Sequence, residues 1–120
     1  MDSGIFAAVQ EAAIAALELP QSWIDERNSV YQRRRDRVVK SLRSAGLAPE
    51  VPRASLYVWT PVPEGHDSSG FAAKVIDEAG VIVTPGLGFG PSGDSHFRIS
   101  LTTPDDRLKE GLDRLTQVQL

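Results

Sequence analysis

The sequence predicts an α+β fold, a small sheet of few strands covered by helices and preceded by a long helix. Three observations carry this expectation. Up to Gly46 the apolar residues recur at helical spacing, in two stretches divided by Pro20. Beyond Gly46 the texture changes: residues 55–60 have strand composition, and residues 96–101 alternate strictly between apolar and polar. Two more helical stretches, over 70–79 and after Thr103, complete the order α-α-β-α-β-β-α.

Asp2 and Ser3 are expected to cap the first helix, along which Ile5, Val9, Ala12, Ala13, Ala16 and Leu17 recur at helical spacing. It carries only Glu11 and Glu18 as charges. A helix apolar on most of its circumference is normally buried on several sides, and little else in 120 residues could bury it. Its exposed face invites self-association. Ser22 is expected to cap a second helix from Trp23 to Ala45, stopped by Gly46. At ~1.5 Å per residue this element is about 34 Å long, enough to bridge two structural units. Its apolar stripe is Trp23, Val30, Tyr31, Val38 and Leu42.

The first strand is expected over 55–60, between Pro52 and Pro61. Asp67, Ser68 and Ser69 offer caps for a helix over Gly70 to Ala79, stopped by Gly80. A short apolar strand over 81–84 leads into a glycine-rich loop, Pro85 to Ser95. The last strand, His96 to Leu101, sets Phe97, Ile99 and Leu101 on one face and His96, Arg98 and Ser100 on the other. The final helix opens with Thr103 as cap and Pro104 in the first turn, and buries Leu108, Leu112 and Leu115.

Composition narrows the function. Hydrophobic residues at 41% and charged residues at 24% describe an ordinary globular domain. A formal charge of −3 gives no reason to expect nucleic acid as a partner. The absence of cysteine removes disulfides, thiolate metal sites and a thiol nucleophile. The apolar run Ala12 to Leu17 is too short to span a bilayer, and no signal-peptide layout opens the chain, so a cytoplasmic protein is expected.

Several features look chemical. Gly88 to Gly93 matches G-x-G-x-x-G, but a dinucleotide site needs a helix after the loop, and here a strand follows while Pro91 removes a backbone donor. His66 and His96 lack metal-ligand company, and Asp94 reads as loop polarity. Arg33, Arg34 and Arg35 are interrupted by Asp36 and read as a solvated helix surface. Lys40, Lys74 and Lys109 lie on amphipathic helices among other charges, none in the apolar setting that Schiff-base chemistry requires. Arg98 stands opposite the apolar face of its strand, next to the glycine loop. It is either an ordinary solvated or ion-paired surface residue or a clamp for a carboxylate.

Longer stretches decide between these. Residues 31–38 (Tyr-Gln-Arg-Arg-Arg-Asp-Arg-Val) resemble the interdomain helix of fold-type I, class I and II aminotransferases. Residues 54–59 (Ala-Ser-Leu-Tyr-Val-Trp) resemble the first strand of their small domain, and residues 69–73 the following helix start. Gly80-Val-Ile-Val-Thr-Pro-Gly86, then Phe89-Gly90, then Phe97-Arg-Ile-Ser-Leu101, resembles the ordered series that ends in that family's arginine. The wording is closest to LL-diaminopimelate and succinyldiaminopimelate aminotransferase-like members.

The resemblance implies a C-terminal part of such an enzyme. Residues 1–20 would be a helix of the large domain, 21–46 the connecting helix and 47–120 the small domain. Arg98 would bind the substrate α-carboxylate of an amino acid or 2-oxo acid. Pyridoxal 5'-phosphate would serve the full-length protein, a homodimer. The Schiff-base lysine and the other cofactor-binding groups would lie upstream, leaving no catalytic, cofactor-binding or metal-binding residue here, and the chain alone would be inactive. A free-standing carboxylate-binding or dimerising module, or part of a related lyase or synthase, are the alternatives.

Overall fold

The computed structural model describes residues 4–119 and contains four helices and a three-stranded sheet, in the expected order. The chain divides between Val30 and Tyr31 into two compact units.

The first unit holds α1 (Ala7–Leu17) and the start of α2 (Gln21–Ser44). The caps expected at Asp2 and Ser3 lie outside the described residues. Within them α1 follows Phe6, whose side chain caps nothing; Gln10 Nε2 instead donates to the Ile5 carbonyl at 2.6 Å. No residue of α1 is buried, and Leu17 is 88% exposed. The second helix starts earlier than expected, because the Pro20 carbonyl, not Ser22, receives the Trp23 N–H at 3.0 Å.

Tyr31 onward forms the second unit, and here α2 turns an apolar side inward through Val38, Val39 and Leu42, with Tyr31 packed against the same core. The helix stops as expected at Gly46, whose φ of +84° only glycine adopts cheaply. Leu47 N–H returns to the Leu42 carbonyl and Gly46 N–H to that of Arg43, satisfying the last turn.

The sheet is antiparallel, with β3 (His96–Ser100) central between β1 (Tyr57–Pro61) and β2 (Thr84–Pro85). The first strand begins two residues later than expected, because Ser55 sits at a φ of +111°. The second keeps only two of the residues expected at 81–84. Val81 to Val83 do not pair with β3; with Ile99, Leu112 and Leu115 they line a cavity of about 180 Å³. The inner face of the sheet, Val58, Thr60 and Phe97, is fully buried. On it packs α3 (Ser68–Ala79) through Phe71, Ala72 and Val75; Phe71 and Phe97 have ring centroids 4.9 Å apart. Asp67 caps α3 by accepting the Gly70 N–H at 2.6 Å, and Gly80 closes it in the left-handed conformation.

The last helix, α4 (Asp105–Leu115), buries Leu108, Leu112 and Leu115 as expected, but Pro104 rather than Thr103 is its cap residue. Arg34 ties its start to α2. The guanidinium donates to Asp105 Oδ1 at 2.6 Å and to the Leu101 carbonyl at 3.0 Å. That hydrogen bond, opposed in part by desolvation and helped by the charges of Arg34, Arg37 and Arg33, holds the Asp105 carboxyl below its ordinary range. Arg34 therefore corrects the expectation of a solvated arginine run: its side chain is only 16% exposed. Arg35 likewise bonds Asp36 and the Pro52 carbonyl.

One core group is out of place chemically. Thr60 is completely buried, yet its hydroxyl has no hydrogen-bond partner among the described residues. Thr60→Val keeps the shape and removes the orphaned hydroxyl, so it stabilises the domain by about 1 kcal/mol. Urea unfolding reads this as a raised midpoint at unchanged slope; a lowered midpoint would contradict it.

Candidate carboxylate-binding site

Alternation along β3 sends Phe97 into the core and Arg98 to the opposite face, half-buried. The register sets Trp59 of β1 beside Arg98 on one side and Thr84 of β2 on the other. Two residues back along β1, Tyr57 shares that face. The Arg98 guanidinium carbon lies 4.0 Å from the Tyr57 ring centroid and 4.4 Å from that of Phe89.

Phe89 arrives from the glycine loop, which folds into two 3-10 turns, Gly86–Phe89 and Pro91–Gly93. Their backbones touch so closely that a Cβ built on Gly86 would sit 2.0 Å from the Gly93 carbonyl oxygen. Ser68, fully buried at the start of α3, fastens the loop at two points. Its hydroxyl donates to Asp94 Oδ1 at 2.7 Å and accepts the Leu87 N–H at 3.1 Å. The loop is thus bonded to the helix behind it. Trp59 and Phe89 meet edge-on, with ring centroids 5.8 Å apart, and Trp59 stacks on His96 at 5.4 Å.

Among the described residues the buried Nε of Arg98 has no hydrogen-bond partner and no carboxylate pairs with the guanidinium. A cation held over aromatic rings without a counter-ion can take a carboxylate across its fork. Among the described residues Arg98 enters no ion pair, so a solvated arginine and a carboxylate clamp are the two readings that remain.

The other candidates disperse. His96 is a ring neighbour of Trp59 and hydrogen-bonds Ser95, and His66 lies near Phe71. Among the described residues no group of three or more potential ligands could hold a metal ion. Asp94 is a structural acceptor for Ser68. Lys74 pairs with Glu78 and Lys109 with Asp113, both at 2.8 Å, and Lys40 is exposed. These settings do not fit a Schiff-base lysine, which needs an apolar pocket or a neighbouring cation to lower its pKa. Sequence reasoning missed Tyr57 and Phe89 as partners of Arg98. The signal for Tyr57 was its place two residues before Trp59; nothing local marked Phe89.

Comparison with known proteins gives one answer. The family model for aminotransferase class I and II matches residues 3–115. LL-diaminopimelate aminotransferase of Dehalococcoides mccartyi is 51% identical over 96% of the chain, and that of Oleidesulfovibrio alaskensis 50% identical over 98%. The chain spans about 30% of the length of these curated relatives. Among solved structures, a probable N-succinyldiaminopimelate aminotransferase from Thermus thermophilus superposes with a TM-score of 0.88 at 31% identity. The match covers 99% of this chain and 32% of that one. An aminotransferase from Staphylococcus aureus gives 0.87 at 37% identity, over 97% of this chain and 31% of its own.

Proposed function

Because the chain belongs to the class I and II aminotransferases, we propose that it forms the C-terminal part of a pyridoxal-phosphate-dependent transaminase and supplies that enzyme's grip on the substrate carboxylate. The observation that carries the reading is Arg98, set over two rings with no carboxylate partner among the described residues. The substrate is an amino acid or its 2-oxo acid. Identity near 50% to LL-diaminopimelate aminotransferases favours a diamino-dicarboxylic acid of that type.

In this reading residues 1–20 belong to the large domain, 21–46 form the connecting helix and 47–120 the small domain. The division of the chain within α2 supports the helix as a bridge. The unburied apolar side of α1 supports burial against large-domain or partner-subunit residues, as in a homodimer. Among the described residues no helix is long and apolar enough to cross a membrane, which agrees with a cytoplasmic enzyme. Pyridoxal phosphate supplies the amino-group chemistry of such enzymes. This chain's share is to orient the substrate and exclude water.

The test is direct. The 120-residue chain is mixed with pyridoxal phosphate, reduced with borohydride and mapped by mass spectrometry. The expected result is no stoichiometric adduct on any single lysine. One adduct concentrated on Lys40, Lys74 or Lys109 would overturn the assignment of the cofactor chemistry to residues elsewhere.

A further inference from the structure

We infer that Tyr57 and Phe89 are positioning residues for Arg98: their rings fix the guanidinium in its binding orientation before any carboxylate arrives. The inference rests on the proposal that Arg98 receives a carboxylate, and adds the means by which it is held ready.

A long, flexible arginine normally loses much of its freedom when a ligand arrives, and that loss weakens binding. Here the freedom is removed in the folded chain. The guanidinium carbon lies over both rings, and the Nε is buried with no hydrogen-bond partner among the described residues. Packing alone does not account for Phe89. Phe89 is 54% exposed in this chain, so it does not fill this domain's own core. What the ring does have is a braced position: Trp59 meets it edge-on from the sheet, and its loop is tied down by Ser68 and by the close approach of Gly86 to Gly93. Tyr57 is also exposed, on the edge strand β1, with the Arg98 guanidinium carbon 4.0 Å from its ring centroid. Two exposed rings on separately anchored elements thus converge on one cation.

The chemistry of this pair predicts a division of labour. Arg98 touches the substrate; the rings act only through Arg98. Losing one ring loosens the arginine without removing its charge, so binding weakens while the reacting atoms are untouched.

Two measurements test this. In nitrogen–proton spectra of the 120-residue chain, the Arg98 Nε–H is expected upfield of ordinary arginines, because ring currents shield protons over aromatic faces, and slow to exchange with water. Phe89→Leu and Tyr57→Leu each move it toward the ordinary position, while Phe89→Tyr, which keeps a ring, does not. In the full-length transaminase, the two leucine variants raise the KM of the amino-acid substrate by about three- to ten-fold with kcat within about two-fold, and Phe89→Tyr restores it. An Nε–H at the ordinary position in the unsubstituted chain overturns the inference. So does a KM unchanged in both leucine variants while Arg98→Lys raises it, which leaves the carboxylate reading standing. A KM unchanged in Arg98→Lys overturns the carboxylate reading itself, and the inference with it.

Discussion

Arg98→Ala in the full-length transaminase proposed above is expected to lower kcat/KM for its amino-acid substrate by at least about ten-fold while cofactor occupancy stays the same. The reason is the fork geometry of the guanidinium. It can donate two charge-assisted hydrogen bonds to one carboxylate, each worth about 1.5–3 kcal/mol, and about 1.4 kcal/mol is already a factor of ten. Among the described residues no other arginine or lysine of the sheet's outer face stands ready to replace it: β1 and β2 present Tyr57, Trp59 and Thr84 there. The fold should tolerate the change. Alanine forfeits two ring contacts worth about 0.5–1 kcal/mol each, but it also removes a buried Nε that has no partner. Steady-state kinetics, the visible absorbance of the bound cofactor and a thermal melt separate these effects. Unchanged turnover with an unchanged melt would remove Arg98 from the substrate site.

How this site could be anticipated from sequence differs from residue to residue. Arg98 was legible because a two-residue period is a local property: five residues of β3 suffice to place it opposite Phe97. The same holds for the helices, whose stops at Gly46 and Gly80 are both left-handed in the structure. Strand edges were less legible. Val81 to Val83 have strand composition, but a strand needs a neighbour to pair with, and only Thr84 and Pro85 pair with β3 while 81–83 line a cavity. Arg34 misled for a similar reason. It looks like part of a charge run, whereas its partner Asp105 is 71 residues away and enters only when α4 docks. Phe89 over Arg98 is a contact across a loop whose path no local pattern encodes.

The glycine loop shows most clearly what pattern matching misses, and it carries the largest expected loss of stability. The sequence draws attention to Gly88, Gly90 and Gly93 as a phosphate-loop match. The structure shifts the weight to Gly86 and Gly93, which face each other. A methyl group on Gly86 would lie 2.0 Å from the Gly93 carbonyl oxygen and 2.5 Å from that of His96. Both obstacles are backbone, so no rotamer change relieves them. One of them belongs to β3, the strand that carries Arg98. Gly86→Ala must therefore separate the two 3-10 turns or displace the central strand, and overpacking against backbone belongs at or beyond the upper end of the usual penalty, about 3 kcal/mol or more. Against a total stability of roughly 5–15 kcal/mol, that loss is a large part of the whole. Gly88→Ala is the matched control. Its added methyl meets nothing within 4 Å and its φ is ordinary, so the change should stay within about 0.5 kcal/mol of neutral. Urea midpoints of the two variants decide the matter. If they coincide, the close approach is not what holds the loop. If Gly86→Ala alone collapses the midpoint, the glycine at 86 is there because two backbones must touch to bring Phe89 over Arg98.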